Sequence, residues 1–388
     1  MTDVYINDIV ALLPNEPVDN DHMESILGQI ADRPSRARRI ILRSNGIKSR
    51  HYAIDPVTGE STHSNAELTA EAVRLLASEE FDLANMDCLA CGTSLPDQLM
   101  PNHAVMVHGE LATPPCEVIA TSGVCVAGMT AMKYAWLGVT SGEFANAVAT
   151  GSEVASAIMR GNRFEPELAA ASEDIENRPE IAFETDFLRW MLSDGAGAVL
   201  LQSVPKTTGL SLRIDWIYER SFANEMDACM YIGAEKQPDG RLSGWNQYAP
   251  EEWREHSMFA VKQDVKQLNE HIINYTVKRP LLEIAENKGI RPSEIDFFLP
   301  HYSSEFFRQK LADGMRDADF DIPFARWFTN LRTKGNTGSA AIYIIIEELY
   351  RSGRLRGGQK LLCLIPESGR FTSAFMLMTV FDPATMES

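Results

Sequence analysis

The sequence is poor in basic residues. Lysine and arginine together number 36 against 54 aspartates and glutamates, so the 388 residues carry a formal net charge of −18. A protein that binds nucleic acid needs a basic surface to neutralise phosphates. The charge balance therefore excludes nucleic acid as a general partner. Its 45% apolar and 23% charged residues are ordinary for a globular protein.

Long apolar runs and a basic N-terminal cluster are both missing. No stretch reaches the roughly 18 consecutive apolar residues that a membrane-spanning helix needs. Residues 1–8 carry acids and no basic cluster, which favours a first strand over a signal peptide. We therefore expect a cytoplasmic protein that does not associate with membranes.

Cysteine is scarce and shows no metal-binding pattern. In a cytoplasmic protein the six cysteines are expected to be free thiols. Cys88 and Cys91 form a C-x-x-C, but no second pair and no histidine pair completes a zinc set. The small apolar residues around them favour a buried strand over metal or redox use, and we expect no metal site.

Strand-like and helix-like segments alternate along the chain, which predicts an α/β fold with a mostly buried sheet. In each half a strand leads to a polar or small residue at the start of an apolar helix, Cys125 in the first half and Asn336 in the second. This recurrence predicts an internal duplication, with one half at 1–205 and the other at 206–388. Residues 158–182 and 221–258 interrupt the pattern and are expected to be surface insertions.

Three residues at the ends of predicted elements form a candidate catalytic set. Cys125 precedes a long apolar helix, where the helix dipole and unpaired N–H groups favour thiolate. His301 follows the apolar strand 295–300, and Asn336 lies between two glycine-containing turns. Alone, a buried cysteine is usually a small hydrophobic residue, and an Asn beside glycines usually makes a turn. Together they provide a nucleophile, an imidazole and a neutral amide donor for a carbonyl that gains charge.

These residues, in their order and context, resemble the β-ketoacyl synthase III branch of the thiolase-like condensing enzymes. The resemblance covers most of the chain and includes motifs at 45–51, 122–128, 151–153, 194–198, 300–301 and 334–340. It implies a five-layer αβαβα fold from two pseudo-repeated halves, a homodimer, and acyltransferase activity through a Cys125–His301–Asn336 triad. It implies no cofactor beyond the coenzyme A or acyl carrier protein phosphopantetheine that carries the substrate.

The resemblance also assigns roles to residues around the triad. Met100 precedes Pro101 at a position that, in the family, crosses the dimer interface and shapes the partner's acyl pocket; simple interface packing is the alternative. The family's glycine-rich loop, whose N–H groups complete the oxyanion hole, contains Gly369 and Arg370 here. Arg370 puts a bulky cation where glycine is usual, which together with the insertions predicts an altered substrate pocket.

Glu153 ends a strand close to the Cys125 helix in the predicted topology. One interpretation is a structural acid that ties loops together. The other is a base for a second proton abstraction, as in the dialkylresorcinol and stilbene-pathway ketosynthase/cyclases, which this chain resembles in that acid and in its Ser-Gly-Arg-Phe loop. Such enzymes join two β-ketoacyl units and close a 1,3-cyclohexanedione ring.

A basic segment stands out against the acidic background. Residues 33–50 hold seven basic residues and no acid, including Arg36 and Arg50. They form either a solvated helix face or a landing site for the phosphates of coenzyme A or of a carrier protein.

We therefore expect a ketosynthase that forms a C–C bond by Claisen condensation through an acyl-Cys intermediate. The alternatives are an initiating synthase that uses malonyl-carrier protein, an acyltransferase to an alcohol or amine, and a non-catalytic partner subunit. The intact cysteine, histidine and asparagine argue against the last of these.

Overall fold

The computed structural model describes residues 2–30, 34–35, 38–164 and 187–385. Its strands are β1 (Tyr5–Leu12), β2 (Val18–Asp19), β3 (Ser49–Arg50), β4 (Cys88–Thr93), β5 (Glu117–Ser122), β6 (Asn146–Glu153), β7 (Gly195–Gln202), β8 (Ser211–Ser221), β9 (Met230–Tyr231), β10 (Ala234–Lys236), β11 (Leu242–Gly244), β12 (Lys262–Gln263), β13 (Phe297–Pro300), β14 (Lys360–Glu367) and β15 (Thr372–Phe381). Its α-helices are α1 (Met23–Leu27), α2 (Arg38–Asn45), α3 (Asn65–Arg74), α4 (His103–Leu111), α5 (Ala127–Ser141), α6 (Glu252–Glu255), α7 (Val265–Ile273), α8 (Arg279–Lys288), α9 (Arg308–Arg316), α10 (Leu331–Lys334) and α11 (Ala341–Arg351).

The main sheet consists of two sets of strands with the same order. The first set runs β5-β4-β6-β7-β1 and the second runs β13-β14-β15-β8, and the two are joined where Tyr5 and Ile6 pair with β8. In each set a parallel pair (β4–β6, β13–β14) is followed by two antiparallel pairs. The place of β5 is taken in the second set by a single parallel bridge between Phe298 and Trp327. This repetition is the pseudo-repeated architecture expected from the sequence; the boundary at 205/206 stays a prediction.

Three apolar clusters separate the layers. The first lies between α3 and α4 and the outer face of the first strand set, and the second surrounds α5 and α11 between the two sets. The third packs α8 and α9 against the outer face of the second set. Because neighbouring strand residues point to opposite faces, Leu361 and Cys363 enter the central cluster while Leu362 and Leu364 enter the third. Helices and strand sets therefore alternate in five αβαβα layers, which confirms the predicted fold class.

The C-x-x-C at the start of β4 is explained by strand packing. Cys88 belongs to the central cluster and Cys91 to the first, so their thiols point to opposite faces of the sheet. Two side chains so placed cannot hold one metal ion together. Among the helices of the described residues, none is both long and apolar enough to cross a bilayer.

The second half departs from the sequence expectations at two places. The sequence pattern from 264 to 287 favours one long helix, but a π-helical turn at Asn274–Lys278 interrupts it, and Ser373 Oγ donates there to the Thr276 carbonyl at 2.6 Å. The expected surface insertion at 221–258 forms short strands, and its Trp245 and Trp253 pack with Phe259, which follows it. Met230 of the same segment lines the main cavity. Most of the other expected insertion, at 158–182, lies outside the described residues.

Candidate active site

One cavity between the two halves collects the candidate catalytic residues. Cys125, His301, Asn336 and Glu153 all line it. Cys125 precedes α5, His301 follows β13, and Asn336 lies between α10 and α11. The two central helices thus bring the predicted residues of both halves to one place.

The surroundings of Cys125 differ from the sequence expectation. Glu367 Oε2 accepts hydrogen bonds from the N–H groups of Val124 at 2.9 Å and Val126 at 3.0 Å. Burial, followed by the charges of Glu367 and Glu153, raises the pKa of the Cys125 thiol. The expectation that unpaired N–H groups favour thiolate is therefore wrong, because a carboxylate already occupies the two flanking amides.

His301 is available as a neutral imidazole. It is 4% exposed, and burial lowers its pKa to about 4. Its backbone N–H donates to the Leu364 carbonyl at 2.8 Å, which fixes the residue at the end of β13 against β14. A neutral imidazole can donate a hydrogen bond from one ring nitrogen and accept a proton at the other.

Asn336 is oriented by its own loop. Its Oδ1 accepts from the Gly338 N–H at 3.0 Å, which leaves the Nδ2 group as the donor. Gly335 and Gly338 have φ of +71° and +54°, and a Cβ at Gly338 would lie 2.8 Å from Glu153 Cγ. The two glycines on either side of Asn336 are thus required by the backbone conformation and by close packing.

Glu153 makes the structural ties that one interpretation predicted. Its Oε1 accepts from the N–H groups of Ser94 at 3.0 Å and Ser339 at 3.2 Å, and its Oε2 accepts from Ser94 Oγ at 2.6 Å. Burial raises its pKa, with these hydrogen bonds acting in the opposite direction. Because the side chain also lines the cavity, its position is compatible with a base as well.

The loop between β14 and β15 contributes different residues from those expected. Arg370 is exposed, and its Nε donates to the Met226 carbonyl at 2.6 Å, so its side chain does not enter the cavity. The Gly369 carbonyl accepts from the N–H groups of Cys229 and Met230. Ser368 lines the cavity instead.

Met100 lies on the surface of the chain and does not line the cavity of its own subunit. Its side chain is 85% exposed, beside Leu99 at 72%, and the Met100–Pro101 bond is cis. Exposure of two neighbouring apolar residues is compatible with a buried position between two subunits. The homodimer and the role of Met100 stay predictions.

The basic segment 33–50 is only partly exposed on the protein surface. Arg50 is 0% exposed; its guanidinium donates to Asn20 Oδ1 at 2.9 Å and to the Trp190 carbonyl at 3.0 Å. This burial contradicts a contact between Arg50 and a carrier protein. Arg36 lies outside the described residues. Among the described residues of the segment, the exposed cations are Arg39, Arg43 and Lys48.

The cavity is also lined by apolar residues of the second half, which together we call its apolar arm. The arm follows α7, the π-helical turn and the start of α9. Its apolar lining residues include Val261, Leu268, Ile272, Ile273, Val277, Phe307 and Leu311. Such a surface suits a hydrocarbon chain attached to the reacting carbonyl.

Sequence comparison finds related condensing enzymes. A family model described as 3-oxoacyl-[acyl-carrier-protein (ACP)] synthase III C terminal matches residues 285–375, which include His301 and Asn336. β-Ketoacyl-[acyl-carrier-protein] synthase III of Methylococcus capsulatus is 24% identical over 352 residues, covering 90% of this chain and 91% of that protein. The protein of the same name from Xanthomonas campestris is 25% identical over 362 residues, 93% of each chain.

Solved structures show the same fold. AbyA1, a tetronic acid condensing enzyme, matches with a TM-score of 0.74 at 19% identity, over 97% of this chain and 99% of that chain. Xanthomonas campestris OleA with bound cerulenin matches with a TM-score of 0.72 at 18% identity, over 97% and 98%. At these identities the likeness concerns the fold alone.

Proposed function

We propose, from the premise that this chain is a β-ketoacyl synthase III-like condensing enzyme of the thiolase superfamily, that it joins two acyl thioesters through an acyl-Cys125 intermediate. The observation that carries this proposal is the convergence of Cys125, His301 and Asn336 on one cavity that includes the apolar arm. The arm supports acyl thioesters with hydrocarbon chains as the substrate class.

In the first stage the Cys125 sulfur attacks the thioester carbonyl. The C–S bond to the carrier thiol breaks, and the proton of Cys125 passes through His301 to the departing thiolate. A neutral His301 supports this role because it can accept the thiol proton. Backbone N–H groups near Cys125 and in the 367–370 loop would bind the oxyanion.

In the second stage a carbanion attacks the acyl-Cys125 carbonyl. The carbanion forms by loss of carbon dioxide or of a proton from the second thioester, and its enolate oxygen receives hydrogen bonds from His301 and from Asn336 Nδ2. The free Nδ2 of Asn336 supports this assignment. As the C–C bond forms, the C–S bond to Cys125 breaks, and the released sulfur takes a proton from water.

We further propose that a second, intramolecular condensation follows and closes a six-membered 1,3-dione ring. In that step Glu153 would take a proton from the bound intermediate. Its position on the cavity wall and its raised pKa support the role, because a raised pKa makes a carboxylate a stronger base.

A carrier protein or coenzyme A would dock at cations near the Asn336 loop. The Lys48 N–H donates to the Arg332 carbonyl at 2.8 Å, which joins the exposed end of the basic segment to α10. Lys48, Arg332 and Lys334 therefore replace Arg50 in the proposed phosphate contact.

Intact-mass measurement across a panel of acyl thioesters tests the proposal. Each accepted thioester should add its acyl mass to the native protein and nothing to Cys125→Ala. A Cys125→Ala protein that still turns thioesters over contradicts the nucleophile assignment. Acylation without any C–C product would instead indicate transfer to an alcohol or amine.

The initiating synthase that uses malonyl-carrier protein is the second candidate. The names of the related proteins favour it. Product mass distinguishes the two: an acyclic β-ketoacyl thioester supports the initiating synthase, and a cyclic dione supports ring closure.

A further inference from the structure

A carboxylate from the second half binds the start of the nucleophile's helix. Glu367, the last residue of β14, is 7% exposed. Its Oε2 receives the N–H groups of Val124 and Val126, the residues on either side of Cys125. The N-cap residue of α5, Val126, has no side-chain capping bond, so Glu367 performs that function from 241 residues away.

Glu367 thus binds two of the three consecutive amide N–H groups of residues 124–126. The N–H groups of Val124 and Val126 are taken, whereas the Cys125 N–H between them has no hydrogen bond to another described residue. A Cβ on Gly123 would lie 3.4 Å from Glu367 Oε2, so the loop passes close to the carboxylate. The nucleophile's backbone is therefore fixed by a side chain that the proposed mechanism does not use.

We propose that Glu367 is a positioning residue for the condensation: it binds the two amides that flank Cys125, reserves the Cys125 N–H for the substrate oxygen, and keeps the resting nucleophile a neutral thiol. The last part follows from charge, because a carboxylate at a helix N-terminus cancels the positive end of the dipole that otherwise stabilises thiolate. The part of this inference that concerns the substrate oxygen rests on the proposed function. The part that concerns the Cys125 thiol does not.

Other titratable groups lie near Cys125 and Glu367, and their effects on the thiol must be distinguished from that of Glu367. Glu219 on β8 lies near it, with Oε2 at 3.5 Å from Lys133 Nζ on α5. Glu153 faces Cys125 from β6, and His301 faces it from the end of β13. Of the three carboxylates, Glu367 accepts from the amides that flank Cys125.

Two substitutions of Glu367 test its positioning role and its charge separately. Glu367→Gln keeps an oxygen that can accept both N–H groups and removes the charge. We expect iodoacetamide to alkylate Cys125 about tenfold faster at pH 7, because removal of the charge lowers the pKa of the thiol. Glu367→Ala loses both bonds, and we expect kcat to fall about tenfold to hundredfold.

The matched control is Glu219→Gln, which removes a neighbouring carboxylate that does not bind the loop. It should shift the pH profile of alkylation less than Glu367→Gln does. An unchanged profile in Glu367→Gln, or an equal shift in Glu219→Gln, overturns the charge assignment. Full kcat in Glu367→Ala, with an unaltered thermal transition, overturns the positioning assignment. Alkylation uses no thioester, so its result is independent of whether condensation is the true reaction.

Discussion

The protonation state of His301 sets the acid limit of the proposed chemistry. Burial lowers its pKa to about 4, so the neutral form persists well below the ordinary value of about 6.5. Since the neutral form is the one that accepts a proton from Cys125, we expect kcat/KM to fall with acidification around pH 4. A steady-state pH profile, with circular dichroism to confirm folding, measures this. In His301→Asn the remaining activity should lose this limb; a limb centred near 6.5 in the unaltered protein contradicts the assignment.

Glu153 can be tested without breaking the structure it supports. Glu153→Gln keeps an acceptor for the Ser94 and Ser339 amides but removes the base. If Glu153 abstracts the proton for ring closure, this variant should still be acylated and should accumulate the acyclic condensation product. Mass spectrometry of products against Glu153→Ala, which also loses the ties, measures this. A normal yield of cyclic dione from Glu153→Gln would remove Glu153 from the mechanism.

At the residue scale, the sequence was informative where local context determines position. Cys125, His301 and Asn336 each end or begin an element that local pattern reveals, and the structure brings them to one cavity. Glu367 was missed as a partner of Cys125 because 241–243 residues separate the bonded groups. Arg50 was assigned to the surface because charge alone does not show that backbone carbonyls and amides bury a guanidinium.

Among the elements, close packing of α5, β6 and α11 holds the two halves of the site together. A Cβ on Gly151 would lie 2.3 Å from the Ser339 carbonyl oxygen. Gly151→Ala should therefore push Ser339 away from Glu153 and destabilise the fold by about 1–3 kcal/mol, with reduced acylation. Urea unfolding measures the first effect and intact mass the second.

Gly109 provides the control for that prediction. It lies in α4, and a Cβ there would meet no atom within 4 Å. Gly109→Ala should leave acylation unchanged and stabilise the helix by up to about 1 kcal/mol. Equal stabilities for the two variants would show that Ser339 yields without cost.

Elements defined by local signals were predictable, and those defined by packing were not. The Ser64 capping box and the helix end at Gly142 depend on local sequence alone, and the structure contains both. The π-helical turn is bound by Ser373 of a distant strand, and the periodicity of the sequence does not show such a contact. The cavity role of Met230 likewise depends on how the 221–258 segment folds back.

For the whole molecule, the repeated strand order explains why two distant motifs share one site. Cys125 follows β5, and Asn336 follows the Phe298–Trp327 bridge at the corresponding place of the second set. The alternating pattern and the resemblance together predicted this architecture. The resemblance pointed to Met100 as an interface residue, but the pattern of residues alone did not show that Leu99 and Met100 are exposed, because exposure is a property of the folded chain.

The association of two chains can be tested at the loop that contains Met100. Leu99 and Met100 present adjacent apolar side chains to solvent. If this loop is buried between subunits, Met100→Asp should weaken the homodimer, because an unpaired carboxylate is costly to bury. Val204→Asp, at another exposed apolar position that is 68% exposed, is the control and should leave the dimer intact. Sedimentation velocity over a concentration series measures both.

A bulky substitution then separates the two roles expected for Met100. Met100→Trp keeps an apolar side chain, so a dimer held by simple packing should accept the same acyl chains as before. If Met100 shapes the partner's acyl pocket, the larger ring should shorten the longest chain that acylates Cys125, while the dimer persists. Intact-mass measurement with thioesters of increasing length decides between the roles. A shift in chain length in a dimeric variant requires a residue that reaches the pocket, because packing at the interface alone does not change the depth of a cavity.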